Sequence, residues 1–357
     1  MIQEAPTASL PDPLRRWTMD ILGALPPAET RATCHDCAMV LPQDEPRDLQ
    51  RISFDPRVRC CSYRPQLPNF AVGEILANSS SSSAFATASI RKRIAEGDAS
   101  PLGLRVDAAY QLIYKHASAA SFGRAQHLRC PHLEESGLCG IWASRPAVCA
   151  TWFCKHERGR LGSRFWASLH STLAAAEQVA SRWCLEELGF DGVAQRAAVD
   201  DLKQSALDTF ALDRRQNSTL ALRLWGTWNG REESFYTACA ELVRGRDWKA
   251  LEETSQEIAW MAAETRALAA EHADLSLPAR LRAGTFQVLG AVEGRLWLRS
   301  ESAFDTIEVA PEVMGLVARS DGRTAEEILA EHEAATGQRP PRVLLRMLLD
   351  YGILAAG

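Results

Sequence analysis

The sequence predicts a mainly α protein in three parts. An irregular cysteine-rich metal-binding domain covers residues 1–163, an α-helical region packed on it covers 164–275, and a small α+β unit of winged-helix type covers 276–357. Three observations predict this. Eight of the ten cysteines crowd into two windows before residue 155. From residue 164 apolar side chains recur at helical spacing, and the C-terminal stretch carries a hairpin signal followed by three short helical patterns.

Composition sets the frame. At about 100–200 residues per domain, a chain of 357 residues suits two or three domains. Hydrophobic residues make up 46% and charged residues 24%, the balance of a globular chain that can bury a core. The formal net charge of −5 gives no bulk attraction to nucleic acid. Only five of the 40 basic residues are Lys, a skew that reads as coding bias and not as a phosphate-binding surface. No stretch approaches the ~18 uninterrupted apolar residues of a membrane helix. The opening MIQEAPTASLPDPLRRW lacks the basic start and apolar run of a signal peptide. The expectation is a cytoplasmic protein with no membrane partner. There thiols stay reduced, and a cysteine cluster binds metal more readily than it forms disulfides.

Within the first part, residues 78–83 (NSSSSS) read as a loop of low complexity, and a helix is expected just after it, over 84–95. The SFGRAQHL stretch at 121–128 reads as a strand. In the second part Phe165, Leu169, Leu173, Ala176 and Val179 mark one helix face that ends near Gly189. Further helices are expected at 193–210, 231–244 and 251–273, with no strand signal between 164 and 275. Ser276-Leu277-Pro278 opens the third part as a linker. Alternating residues at 286–289 and 296–298 around Glu293-Gly294 predict a hairpin. Thr324 and Glu327 have capping-box spacing, each side chain able to satisfy the other's orphan amide. Pro341 suits the start of the last helix and Gly352 its stop.

The chemistry lies in the cysteines. The first group is Cys34-His35-Asp36-Cys37, then 22 residues, then the doublet Cys60-Cys61; the second is Cys130, Cys139, Cys149 and Cys154, separated by eight, nine and four residues. A Cys-x-x-Cys turn is short enough for both thiolates to reach one metal. Adjacent cysteines point apart in an extended chain, so Cys60 and Cys61 are expected to serve different metal atoms or different faces of one cluster. A polynuclear centre, or two centres sharing this segment, follows more naturally than one isolated four-cysteine zinc site. All eight are candidate metal ligands. Cys184 and Cys239 sit inside expected helices and read as buried core residues. His35, His132 and His156 lie within two residues of candidate ligands, and imidazole is an alternative donor. With eight thiols at hand it is not required. His116 and His127 read as ordinary residues, and Trp225, Trp228 and Tyr236 as core aromatics. No nucleophile–base arrangement stands out, and no catalytic residue is assigned.

The run CPHLEESGLCGIWASRPAVCATWFC at 130–154 resembles the YkgJ-like cysteine-cluster family, described as a putative zinc- or iron-chelating domain. Cys139, Ile141, Trp142, Arg145, Pro146 and Cys149 fill its Cys-x-Ile-aromatic and Arg-Pro-x-x-Cys places. The family's compact upstream CxxCxxCC cluster is here stretched into Cys34-x-x-Cys37 and the distant Cys60-Cys61. The resemblance covers about residues 30–165. It implies a metal centre, and through some relatives that look like flagellin lysine methylases it admits a protein-modifying activity. The segment 285–357 more loosely resembles the PqqD-like winged-helix units that bind leader peptides. Its seven Arg, no Lys and eleven acidic residues argue against a DNA-binding winged helix. The resemblance implies a peptide or protein partner. The expected function is an iron–sulfur redox or accessory component in protein or peptide modification. The alternatives are a zinc-stabilised interaction module without chemistry and a metal-dependent modifying enzyme such as a lysine methylase.

Overall fold

The computed structural model describes residues 10–32, 36–41, 52–78, 84–106, 108–194, 196, 218–299 and 304–357. Near the N-terminus, α1 (Leu14–Leu22) turns Leu14, Trp17 and Ile21 inward, the spacing of one helix face. Next, α2 (Asn69–Ala77) is apolar on almost every side, with six of its nine residues buried. Three two-residue strands flank it, β1 (Leu67–Pro68), β2 (Ala99–Ser100) and β3 (Gly103–Leu104), antiparallel in the order β1-β3-β2. The chain continues through α3 (Ala84–Ala95), α4 (Ala108–Ser121) and the four-residue α5 (Ala147–Ala150).

The spine is α6 (Gly159–Glu187), 29 residues long. Leu161, Phe165, Leu169, Leu173, Ala176, Ala180 and Cys184 recur every three or four residues on its buried face. After α7 (Ser218–Trp225), the helices α8 (Glu232–Arg244), α9 (Trp248–Glu252) and α10 (Gln256–Ala273) pack against it. All share one apolar core that spans residues 10–262. Trp225, Trp228 and Tyr236 pack in or against this core, edge-on to Phe235 or one another.

The crossing of α2 on α8 is close because Gly73 has no side chain. A Cβ there would stand 1.8 Å from the Tyr236 carbonyl oxygen and 2.9 Å from the Ala240 Cβ. Backbone cannot yield as a flexible side chain can. Gly73→Ala is therefore expected to cost at least the ~1–3 kcal/mol of core overpacking, read as a lower urea midpoint; an unchanged midpoint would contradict this packing.

A second core gathers Leu281, Leu298, Ile307, Leu316, Ile328, Leu345, Leu348 and Ile353. Here β4 (Leu281–Ala283) pairs with β8 (Leu354–Ala356), while β5 (Gln287–Val292), β6 (Arg295–Arg299) and β7 (Ile307–Val309) form an antiparallel sheet in that order. Glu293 and Gly294, at φ 48° and 76°, close the β5–β6 hairpin in the left-handed conformation such turns demand. Three helices complete the unit: α11 (Val313–Ala318), α12 (Ala325–Thr336) and α13 (Arg342–Asp350). The capping box at α12 is made in full, with Glu327 N–H donating to Thr324 Oγ1 at 3.3 Å and Thr324 N–H to Glu327 Oε2 at 2.8 Å.

The molecule is mainly α-helical with small antiparallel sheets. Two local expectations are corrected. Residues 121–128 form no strand: they are the end of α4, a turn at Gly123 with φ 76°, and a 3₁₀ turn at Gln126–Leu128. The single helix expected over 251–273 is two, α9 and α10, because Glu253, Thr254 and Ser255 each donate a backbone N–H into a closing turn. The expected helix at 193–210 and the stretch 79–83 fall largely or wholly outside the described residues. No helix among the described residues is long and apolar enough to cross a membrane.

Candidate metal centre

Cys60 and Cys61 sit on a 3₁₀ turn, Arg59–Ser62, entered through Arg59 at φ 49°. The Cys61 carbonyl accepts the Cys130 N–H at 2.7 Å. One backbone hydrogen bond thus ties the first cysteine group to the second across about seventy residues of chain. From Cys130 the chain folds back on itself. Leu133 bridges to Cys139, Gly137 turns at φ 78°, and Gly140 N–H donates to His132 O at 2.9 Å. The Arg145-Pro146 step then leads into α5, which carries Cys149.

These turns make four thiols neighbours. Cys130, Cys139 and Cys149 each lie within electrostatic reach of Cys61, and Cys149 within reach of the other two as well. Burial pushes the Cys130 and Cys139 thiols up to about 12 and Cys149 well above its usual range; the neighbouring sulfurs add to each shift. Cys61 moves the opposite way. A hydrogen bond from the Cys60 thiol lowers it, and the Arg59, Arg145 and Arg129 guanidinium groups add to the effect. Arg145 is buried, donates from Nε to Trp142 O at 3.1 Å and stacks its guanidinium 3.3 Å from the Trp142 ring centroid. A fixed cation beside a group of buried sulfurs favours the thiolate, the species that binds metal.

The other thiols of the two groups lie elsewhere. Cys37, Cys60 and Cys154 pack in a small apolar cluster with Met39, Phe54, Phe122 and Phe304. Cys34 and His35 lie outside the described residues. The two thiols of the doublet are hydrogen-bonded to each other, and Cys61 lies within electrostatic reach of Cys37 as well as of Cys130, Cys139 and Cys149. Among the described residues no three or more His, Cys, Asp or Glu side chains are arranged to hold a metal ion as they stand. Cys61, Cys130, Cys139 and Cys149 lie within electrostatic reach of one another without forming such a group.

His132 is committed elsewhere. It is fully buried, with Nε2 3.1 Å from Arg93 Nη1 and Nδ1 2.8 Å from Ser89 Oγ. Arginine only donates, so Nε2 accepts and Nδ1–H donates to Ser89. Neither nitrogen has a lone pair left for a metal. Burial, then the Arg93 and Arg64 charges, hold the ring down at about 3 and hence neutral. His156 Nδ1 faces Asp305 Oδ2 at 3.4 Å. Cys184 and Cys239 are fully buried between α6 and α8, with the Cys184 thiol 3.8 Å from the Cys239 carbonyl oxygen, and belong to the core.

Sequence reasoning missed three contributors. Arg59 and Arg129 each immediately precede a cysteine, and the repeated Arg-Cys step was the readable signal. Glu177 is the third. It lies buried on the inner face of α6 and accepts the Ala147 N–H at 2.8 Å, pinning the start of the helix that carries Cys149. An acid beside Leu173, Ala176 and Ala180 on that face was its only trace. Burial raises Glu177 from 4.5 to about 8, against the Ala147 hydrogen bond. A raised carboxyl contributes stability that is complete below pH 4.5 and is lost as pH rises through about 8. Glu177→Gln keeps the acceptor and removes the charge. It is expected to match the native protein below pH 4.5 and exceed its stability above pH 8 in urea unfolding. Equal stability at both ends would show that the carboxyl is not held neutral.

Compared with known proteins, the chain matches no family model, no curated protein and no solved structure.

Proposed function

We propose that this chain is a metal–cysteine protein with two centres that share the Cys60-Cys61 doublet. One is Cys61, Cys130, Cys139 and Cys149. The other is Cys37, Cys60 and Cys154, with Cys34 as the fourth thiol within sequence reach. The observation that supports the reading is the hydrogen bond from Cys130 N–H to Cys61 O at 2.7 Å, which ties two distant stretches of chain and leaves Cys61, Cys130, Cys139 and Cys149 within electrostatic reach of one another beside the buried Arg145. Reduced thiols in such numbers are compatible with a cytoplasmic location. Iron–sulfur clusters are the preferred occupants, and the protein then serves as a redox or accessory component of protein or peptide modification. The C-terminal unit, read as a PqqD-like winged helix, meets the peptide or protein partner; its hairpin and three helices support that reading. Zinc is the second reading, since four thiols are the donor number of a structural zinc site. Anaerobic purification separates them. A brown protein absorbing near ~400 nm with iron and sulfide is expected. A colourless protein containing zinc alone would replace the first reading with the second, and a protein free of both metals would overturn the two together.

A further inference from the structure

Two stretches that carry cysteines of different groups are fastened side by side. Cys130 N–H donates to Cys61 O at 2.7 Å. One residue on, Ser62 Oγ accepts the Gly123 N–H at 2.7 Å. Tyr110 Oη–H donates to Ser62 O at 3.0 Å and accepts the Arg64 N–H at 2.7 Å. Arg93, almost wholly buried, ties the far ends: its Nη1 donates to Pro65 O at 3.3 Å and to His132 Nε2 at 3.1 Å. Strand residues joined by backbone hydrogen bonds keep their Cα atoms roughly 5.5 Å apart. The direct bond between Cys61 and Cys130 sets the same scale, inside the about 4.4–6.8 Å that a disulfide spans. The two thiols lie within electrostatic reach of each other.

Cys61 is partly exposed, so a small oxidant reaches it, whereas Cys130 is buried. The other neighbouring thiols are less well placed to bond to Cys61. Cys60 adjoins it in sequence, and a disulfide between adjacent residues closes a small strained ring around one peptide bond. Cys139 and Cys149 lie within electrostatic reach of Cys61. Among the described residues no backbone hydrogen bond joins either of them to 59–65. Cys130 alone is held to Cys61 by the chain itself.

We propose that Cys61 and Cys130 are a redox pair: a hydroperoxide oxidises Cys61, and Cys130 closes on it as a reversible disulfide that joins the two cysteine groups. With hydrogen peroxide, the Cys61 sulfur attacks one oxygen. An S–O bond forms, the O–O bond breaks, and the second oxygen leaves as water with the thiol proton. Cys61 is then a sulfenic acid. The Cys130 sulfur attacks the Cys61 sulfur, an S–S bond forms, the S–O bond breaks, and the hydroxyl leaves as water with the Cys130 proton. Two thiols are oxidised and one peroxide is reduced to two waters. Small thiols reverse the bond by exchange, and transient disulfides of this kind are the ones a reducing compartment admits. The inference goes beyond the metal reading and needs no metal. Where that reading holds, closure and metal compete for the same two sulfurs.

The test treats the full-length chain, isolated anaerobically and freed of metal by a chelator, with hydrogen peroxide. Remaining thiols are then alkylated under denaturing conditions and the peptides mapped by mass spectrometry. Digestion with trypsin and a glutamate-specific protease parts Cys130 from Cys139 at Glu134 and Glu135. The expected product is a crosslinked pair joining the peptide of Cys60-Cys61 to that of Cys130, two hydrogens lighter than the separate thiols and lost on treatment with dithiothreitol. Cys61→Ser is expected to lose it and leave Cys130 as a thiol; Cys60→Ser is expected to keep it. The map of the native chain carries the test by itself should a variant not fold. A native chain in which Cys61 is oxidised while Cys130 remains a thiol would overturn the inference. So would a bond from Cys61 to Cys60, Cys139 or Cys149 in its place. Both results leave the metal reading standing. That reading has its own arm: Zn²⁺ added first is expected to slow the closure. Closure at an unchanged rate would count against metal at the Cys61 set and leave the disulfide in place.

Discussion

Replacing Cys149 with serine is expected to remove metal from the Cys61 set and to destabilise the protein in the same step. Cys149 lies at the meeting of three constraints. Its neighbours are the sulfurs of Cys61, Cys130 and Cys139, it rides on the short α5, and α5 is pinned to α6 through Glu177. A serine hydroxyl does not ionise near neutral pH and is a poor substitute for a thiolate ligand. A structural thiolate site is worth roughly 10–16 kcal/mol at pH 7 in small zinc domains, against a total folding stability of about 5–15 kcal/mol. Loss of one ligand's share is therefore enough to unfold the loop 130–154. Metal content and soluble yield are expected to fall together, while Cys184→Ser, in the core between α6 and α8, leaves metal content unchanged. Equal behaviour of the two variants would show that Cys149 is no ligand. The metal-free native chain has its own signature. The Cys130 and Cys139 thiols, raised from 9.0 to about 12, contribute stability that is complete below pH 9.0 and lost as pH rises through about 12.

Arg93→Ala is expected to cost about 3–5 kcal/mol, the usual effect of removing one partner from a buried pair. Arg93 is almost wholly buried on α3, and its guanidinium is used on every side. Nε donates to Asp98 Oδ2 at 3.1 Å, Nη1 to Pro65 O at 3.3 Å and His132 Nε2 at 3.1 Å, and Nη2 to Arg105 O at 2.6 Å. Truncation leaves Asp98 without its cation and His132 without its donor in the interior. It also unties residues 65, 98, 105 and 132, the scaffold behind Cys61 and Cys130. Urea unfolding should show the loss, and Arg93→Lys should recover little of it, because one ammonium cannot span four acceptors in a plane. Full recovery by lysine would mean that only the charge matters.

Some of this was legible in the sequence, for physical reasons that differ by element. The face of α6 could be read because a long helix against one core must repeat its apolar residues every three or four positions. The α12 cap and the Glu293-Gly294 turn could be read because local backbone chemistry dictates them. The cysteine groups were visible as candidate donors, whereas the hydrogen bond between the Cys60 and Cys61 thiols runs against the divergence an extended chain would give. The helices α1, α2 and α4 were not read. In α2 the reason is plain: NFAVGEILA is buried on nearly all sides and shows no stripe. The 121–128 segment misled because a short mixed run fits a strand, while Gly123 bends the chain out of any ladder. His132 looked like a spare ligand beside Cys130; only the fold shows Arg93, thirty-nine residues earlier, claiming its lone pair. Contacts of that sequence separation leave no local mark.

The doublet Cys60-Cys61 joins the two proposed centres. Native mass spectrometry of the anaerobically isolated chain should find two metal centres in the native protein. Cys60→Ser and Cys61→Ser should each lose one, and these should be different centres: Cys60→Ser keeps the metal that Cys149→Ser loses. A native chain with the mass of bare polypeptide, or two single variants that lose the same centre, would contradict it.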